Sequence, residues 1–225
     1  MKTIGIIAAM KTEIQFIKDK LQNISQKEIC GMPFCQGIIG DINIVLLECG
    51  VGKVNAAVYT QILIDKFQID AIINTGIAGS LDDHVRHLSI VIADTITYYD
   101  VRKGQLIHCY PYQAYFTADE KLSQLLYDSS EKETTMRGRI ITGDDFISDK
   151  QRKEVLKKEY DALCVEMEGA AIAHTAYINK VPFCVARCIS DMADEAADIE
   201  YKQYEQLAAT KVAKMIYETI VKLGV

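Results

Sequence analysis

The chain has no Cys-x-x-Cys pair, no dense basic cluster, no Gly-x-Ser-x-Gly elbow and no apolar run of membrane-spanning length. Each absence removes a class of function. The seven cysteines, at positions 30, 35, 49, 109, 164, 184 and 188, are scattered, so local pairs cannot assemble a zinc site and no metal is expected. An odd count, with Cys49, Cys164 and Cys184 inside apolar runs, reads as reduced thiols and predicts a cytoplasmic protein. The opening run Ile4-Gly5-Ile6-Ile7-Ala8-Ala9 is too short to span a bilayer and lacks the long apolar region of a signal peptide. A net charge of −6 argues against nucleic acid as a partner, because phosphate binding needs a basic face. The nearest candidate, Gln151-Arg152-Lys153 with Lys157-Lys158, alternates with Glu154 and Glu159 and reads as a solvated helix face. Ser190 has Asp191 beside it but no placed histidine, which disfavours serine nucleophile chemistry. His84, His87, His108 and His174 are dispersed, and His174 reads as a packed helix residue. Gly50-Val51-Gly52-Lys53 has neither Walker A spacing nor the third glycine of a dinucleotide fingerprint.

What remains is an ordinary globular composition. The 225 residues are 49% apolar and 25% charged, with no repeat or linker, which predicts one domain over 1–225. Apolar runs of strand length fall at residues 3–9, 32–39, 42–48, 71–75, 90–97, 138–142, 162–165 and 183–189. Helical patterns fall between them, at about 11–21, 53–67, 118–127, 149–157, 168–178 and 201–222. Such alternation predicts an α/β protein with helices on both faces of a sheet. Gly40-Asp41 is a hairpin signal, so the sheet should be mixed. In the last helix Tyr204, Leu207, Ala208, Lys211 and Met215 form the expected core stripe, with Lys202, Glu205 and Lys214 facing away. Residues 98–116, rich in Tyr and poor in periodicity, read as an irregular segment with a functional or interfacial role.

Chemistry concentrates between Cys164 and Asp194, where two apolar runs end in acids: Val165-Glu166-Met167-Glu168-Gly169 and Arg187-Cys188-Ile189-Ser190-Asp191. Strands that deliver carboxylates to their ends build sites for small polar ligands in open α/β sheets. Two such groups can divide the work, one holding the ligand and one moving a proton. Glycine-bearing turns are expected at Cys49-Gly50-Val51-Gly52-Lys53, Asn74-Thr75-Gly76-Ile77-Ala78-Gly79-Ser80 and Thr142-Gly143-Asp144-Asp145-Phe146, each allowing close backbone approach to a ligand or a turn into a helix.

Taken with Gly5-Ile6-Ile7-Ala8-Ala9-Met10 and Glu13, the Val-Glu-Met-Glu and Arg-x-Ile-Ser-Asp pieces make the chain resemble the nucleoside phosphorylase superfamily over nearly its full length. Within it the chain is most similar to the methylthioadenosine/S-adenosylhomocysteine nucleosidases. The resemblance implies a three-layer α/β/α fold with a central mixed sheet, a homodimer, no cofactor, and hydrolysis of the bond between adenine and a 5′-modified ribose. It makes Asp191 the general acid at adenine N7 and Glu13 the group that polarises water, with Arg187 nearby. Glu168 would clamp the ribose hydroxyls, with Glu166 beside it in the motif, and Met167 would pack under the sugar. Phe146 would stack on adenine and the Ile147 backbone would read its edge. Met10, Ala78, Gly79, Ser190 and Tyr201 would complete the walls, Tyr201 as a lid. Glu13 would repel phosphate, which favours water as the acceptor. Two departures bear on substrate choice: Ile77 stands where nucleosidases often have serine, and residues 98–112 diverge from the family pattern in the segment that reaches the dimer partner's site. The alternatives are a purine nucleoside phosphorylase, a nucleosidase for another 5′-modified nucleoside, or a catalytically silent nucleoside-binding or storage protein.

Overall fold

The computed structural model describes residues 3–224; Met1, Lys2 and Val225, which the single-domain expectation included, lie outside them. Ten strands alternate with seven α-helices: β1 (Thr3–Ala8), α1 (Lys11–Lys18), β2 (Gln22–Ile29), β3 (Met32–Ile39), β4 (Ile42–Glu48), α2 (Lys53–Phe67), β5 (Ala71–Ser80), β6 (Ile90–Tyr98), α3 (Lys103–His108), β7 (Phe116–Thr117), α4 (Glu120–Asp128), β8 (Thr135–Thr142), α5 (Lys150–Tyr160), β9 (Cys164–Glu166), α6 (Gly169–Asn179), β10 (Phe183–Asp191) and α7 (Ala197–Leu223). All strands belong to one mixed sheet, with β3 and β4 antiparallel across the Gly40-Asp41 turn and β1 parallel to both β4 and β5. Alternating side chains of β1 and β5 feed two buried clusters, one on each face. Ile7 and Ile72 pack on the α2 and α6 side, Ile6 and Ile73 on the α1 and α7 side.

The strand that positions the site is β5. One edge pairs with β10 along most of its length, while the other pairs with β1 at residues 71–74 and with β9 only at Gly79 and Ser80. Further pairings of β10 with β6, β6 with β8 and β8 with β9 close this half of the sheet into a ring. Between the end of β1 and the start of the β9 pairing, residues 75–78 have backbone facing no strand on that side. A gap of this kind leaves amide donors to be satisfied by something else.

Several expectations change here. Residues 76–79 are not a turn but the continuation of β5. Their glycines serve close approach instead: a Cβ at Gly76 would stand 2.6 Å from Glu13 Oε1, and one at Gly79 would stand 2.8 Å from Asp191 Oδ1. Strand β2 carries no apolar alternation because it is an exposed edge strand, paired only with β3. Helix α7 begins at Ala197, four residues before the expected start, and Leu207 on its supposed core stripe is 58% exposed. Residues 98–116 are less irregular than expected, since they contain α3 and the start of β7. Lys153 leaves the solvated face assigned to it: it is 5% exposed. His174 is packed, stacked on Phe116 at 4.7 Å between ring centroids. The seven cysteines are all free thiols.

Candidate active site

A cavity of 330 Å³ opens over the gap in β5. It is lined by Met10 and Glu13 from the start of α1, Ala78 and Gly79 from β5, Phe146 and Ile147 after β8, Glu166, Met167 and Glu168 at the β9–α6 junction, Ser190 and Asp191 at the end of β10, and Tyr201 on α7. Thus every residue expected at the site lies on its wall except Arg187, which is 1% exposed and is buried behind Glu166 and Asn74. Segments from across the chain meet here because β1, β8, β9 and β10 all end beside the gap in β5, and the helices that follow β1, β9 and β10 start there.

Glu13 is the third residue of α1, and its Oε2 accepts from the N–H of Met10 at 2.9 Å, capping the helix start. Its Oε1 accepts from the N–H of Ile77 at 3.0 Å, which is a donor left over in the β5 gap. Burial pushes its carboxyl upward, while Arg187 and the N–H groups of Met10, Ile77 and Ala9 pull the other way. The result is a carboxylate fixed on two sides and facing the cavity.

Glu166 is spent internally. Its Oε2 accepts from the N–H groups of Glu168 at 3.0 Å and Gly169 at 2.7 Å and from Arg187 Nη2 at 2.5 Å. Its Oε1 accepts from the Thr142 hydroxyl. With both oxygens engaged, Glu166 anchors the N-terminus of α6 and the buried guanidinium, and has little left for a ligand. Arg187 also donates to Asn74 Oδ1 at 2.6 Å and stands in the field of Glu13, so the cation expected near the reacting water is also the buried counter-charge of the glutamates. Asn74 and Thr142 were not singled out from the sequence. The available signal was a polar residue within or at the end of an apolar strand run, where an unpartnered polar group would be costly.

Glu168 Oε1 accepts from the N–H of Gly52 at 2.8 Å, a contact made possible by the φ of 96° that glycine tolerates there. Its carboxyl is pushed up to about 8, first by burial and then by neighbouring Glu166. Asp191 lies on the opposite wall, 2% exposed. Its Oδ2 accepts from the Ser190 hydroxyl at 2.8 Å and its Oδ1 from the N–H of Ala193 at 3.0 Å. Burial raises its pKa, these two donors oppose the shift, and Glu200 adds to it. Above it the wall turns apolar: Phe146 meets Tyr201 edge to face at 6.0 Å, and the Tyr201 hydroxyl donates to Met10 Sδ at 3.3 Å. Val51, Asp145, Asp198 and Lys202 also line the cavity and were not anticipated. The last two lie in a stretch with no strand-end signal, on the first turns of α7.

The arrangement offers a flat apolar slot beside a proton-holding acid, and a polar floor with two further carboxylates. Residues 3–221 match the family model of the Phosphorylase superfamily. The chain is 35% identical over 229 residues to the 5′-methylthioadenosine/S-adenosylhomocysteine nucleosidase of Staphylococcus aureus strain bovine RF122, covering 98% of this chain and all of that one. Its structure resembles that of the S. pneumoniae nucleosidase with a transition-state inhibitor, at a TM-score of 0.93 and 32% identity over 98% of this chain and 99% of that one. A futalosine hydrolase of Helicobacter pylori superposes with a TM-score of 0.92 at 28% identity, covering 98% of both chains.

Proposed function

The chain belongs to the phosphorylase superfamily, and within it we propose that it is a nucleosidase releasing adenine from 5′-methylthioadenosine, S-adenosylhomocysteine and related 5′-substituted adenosines. The single observation that carries the proposal is the set of three buried, separately held carboxylates, Glu13, Glu168 and Asp191, around one cavity. Breaking the N-glycosidic bond leaves negative charge on adenine and positive charge on the ribose ring. Asp191, whose carboxyl burial shifts toward the protonated form, donates to the base as it leaves. The aromatic pair Phe146 and Tyr201 bounds the slot for the base, and the Ile147 backbone reads its edge. Glu168 accepts from the ribose hydroxyls in the place where it now accepts from Gly52, with Met167 beneath the sugar.

Glu13 orients the attacking water. Phosphate is disfavoured as the acceptor because the floor presents carboxylates, and its one buried cation, Arg187, is already paired with Glu166 at 2.5 Å. As a single catalytic domain the chain would act as a homodimer, with residues 98–116 close to the partner's cavity. Exposed apolar side chains support this: Val54 is 75% exposed, and Tyr110 and Tyr112 are each 67% exposed.

A second reading, hydrolysis of another 5′-modified nucleoside, is favoured by the likeness to the futalosine hydrolase and by Ile77 on the cavity wall. A panel of methylthioadenosine, S-adenosylhomocysteine, futalosine and inosine, assayed with and without phosphate, tests both. Phosphate-independent adenine release from the first two is expected. Strict dependence on phosphate would overturn the role of Glu13, and preference for futalosine would establish the second reading.

A further inference from the structure

Met192 follows Asp191 directly, and its backbone is gripped from two sides. Its N–H donates to Glu200 Oε2 at 2.9 Å, and its carbonyl accepts from Lys153 Nζ at 2.8 Å. Glu200 comes from the first turn of α7 and Lys153 from α5, so two helices meet on one residue, each holding one of its two flanking amides. Lys153 is 5% exposed, and among the described residues no carboxylate pairs with it. An ammonium withdrawn from water to hold a backbone carbonyl is a costly arrangement for a surface helix. Behind Glu200 stands His87, whose Nε2 lies 3.1 Å from the same Oε2, too oblique for a hydrogen bond but close enough to pair when the imidazole is protonated. His87 is itself stacked on Tyr204 at 4.7 Å. Its loop is tied to β10 by backbone bonds from Leu88 to Ile189 and from Ile189 to Ser89, each 2.9 Å.

The gripped peptide is one that needs holding. Ala193 sits at φ 53°, a left-handed conformation that an alanine adopts only under constraint, and this turn aims its N–H at Asp191 Oδ1. On the other side Gly79 leaves no slack, since even a Cβ there would meet Asp191 at 2.8 Å. We infer that Lys153 and Glu200, with His87 behind Glu200, are positioning residues that bracket Met192 through its carbonyl and its N–H and so fix the Asp191 carboxyl against the leaving base. The inference rests on the reading of Asp191 as proton donor. None of the three touches the substrate; they act through the turn. Side chains from two separate helices hold the two successive amides on either side of Met192, with His87 from a third element behind one of them, whereas stabilising α5 or α7 alone would require no such convergence.

The groups facing Asp191 are Glu200 and Tyr201 from α7, His87 from the β5–β6 loop and Cys164 from β9, with Lys153 one peptide away. Of these, the negative charge of Glu200 favours the protonated acid. Steady-state kinetics and pH profiles with methylthioadenosine on Lys153→Met, Glu200→Ala and Glu200→Gln test the bracket. Lys157→Met, on the same helix as Lys153, breaks a surface pair with Asp83 of the β5–β6 loop; it serves as control and should match the wild type. In Lys153→Met and Glu200→Ala, kcat should fall about 10-fold or more while KM moves less than about 2-fold, the pattern of a misaligned acid rather than lost binding. Glu200→Gln keeps an oxygen for the Met192 N–H and should recover most of kcat. Its alkaline limb should move to lower pH, because losing the neighbouring charge eases loss of the Asp191 proton.

Wild-type kcat in both Lys153→Met and Glu200→Ala would overturn the bracket, as would a kcat loss that Glu200→Gln fails to relieve. Circular dichroism and thermal melts accompany each variant, and should Lys153→Met not fold, the Glu200 pair decides alone. Asp191→Asn in the same series separates the two levels. If it turns over normally, the role of Asp191 falls; if it is inactive while the bracket variants are normal, only the bracket falls.

Discussion

Two walls of one cavity treat buried carboxyl groups differently. On the Arg187 side, three glutamates gather around a single guanidinium: Glu166 at 2.5 Å, with Glu13 and Glu168 in its field. On the Asp191 side, among the described residues, no cation lies in ion-pair contact with the carboxyl, which meets a hydroxyl, an N–H and the charge of Glu200. Burial raises the pKa of Glu13, Glu168 and Asp191 alike, so burial does not distinguish them. What differs is the guanidinium. Arg187 draws Glu13 and Glu168 toward the anion, although Glu166 pushes Glu168 the other way, whereas at Asp191 only a hydroxyl and an N–H oppose burial at contact distance and Glu200 adds to it. Under the proposed function, one residue class would then serve the sugar and the water on one wall and the leaving base on the other.

The largest way to break this contrast is Asp191→Asn. It keeps shape and removes the transferable proton, so kcat should fall on the order of 10³- to 10⁴-fold with folding preserved. Single-turnover adenine release is the measurement, and normal turnover would show that the acid lies elsewhere. Next comes Arg187→Met. Removing the shared cation leaves Glu166 buried against uncompensated charge, a change that costs about 3–4 kcal/mol. Thermal unfolding should show it as a fall in Tm of roughly 2–4 °C per kcal/mol. Adding Glu166→Gln should recover part of the loss, and a Tm unchanged in Arg187→Met would mean the glutamates do not depend on that cation.

How much of this was visible in the sequence follows from the same physics. Carboxylates at the ends of apolar runs stand out because they interrupt a pattern, and Glu166, Glu168 and Asp191 all lie on the cavity wall. The closed pairing of β5 was not legible, because Gly76-Ile77-Ala78-Gly79 reads as a turn when the incoming carboxylates that require glycine are distant in sequence. Arg187 sits in the right motif, yet only the fold shows that its guanidinium turns toward Asn74 and Glu166. Lys153 was misread for the opposite reason. Its neighbours Arg152, Glu154 and Lys158 are exposed, and one buried lysine within a charged helix leaves no trace in composition. Edge strand β2 is polar but for Ile24 and Ile29, so it carries no apolar alternation to read.

A smaller test sharpens the Arg187 wall without touching chemistry. Glu168 has a folded-state pKa of about 8, above its unfolded value, so its stabilising contribution is present below the unfolded pKa and is lost as pH rises through about 8. Without ligand, the wild-type Tm should therefore decline between about pH 5 and 9 more than that of Glu168→Gln, which carries no such proton. Parallel declines would show that Glu168 is already ionised at low pH and that Arg187 dominates burial there.

The smallest effect belongs to the apolar wall. Phe146 is 43% exposed and its ring touches Tyr201 edge to face at 6.0 Å. A ring that exposed gains most when a base covers it, so Phe146→Leu should leave folding intact and raise KM for methylthioadenosine by roughly 3- to 10-fold, the scale of one aromatic contact. Its kcat should hold, because Asp191 is positioned from the α5 and α7 side and not by the ring. A fall in kcat equal to the rise in KM would instead mean that stacking also sets the base against its proton donor, and the two walls would then be coupled through the adenine itself.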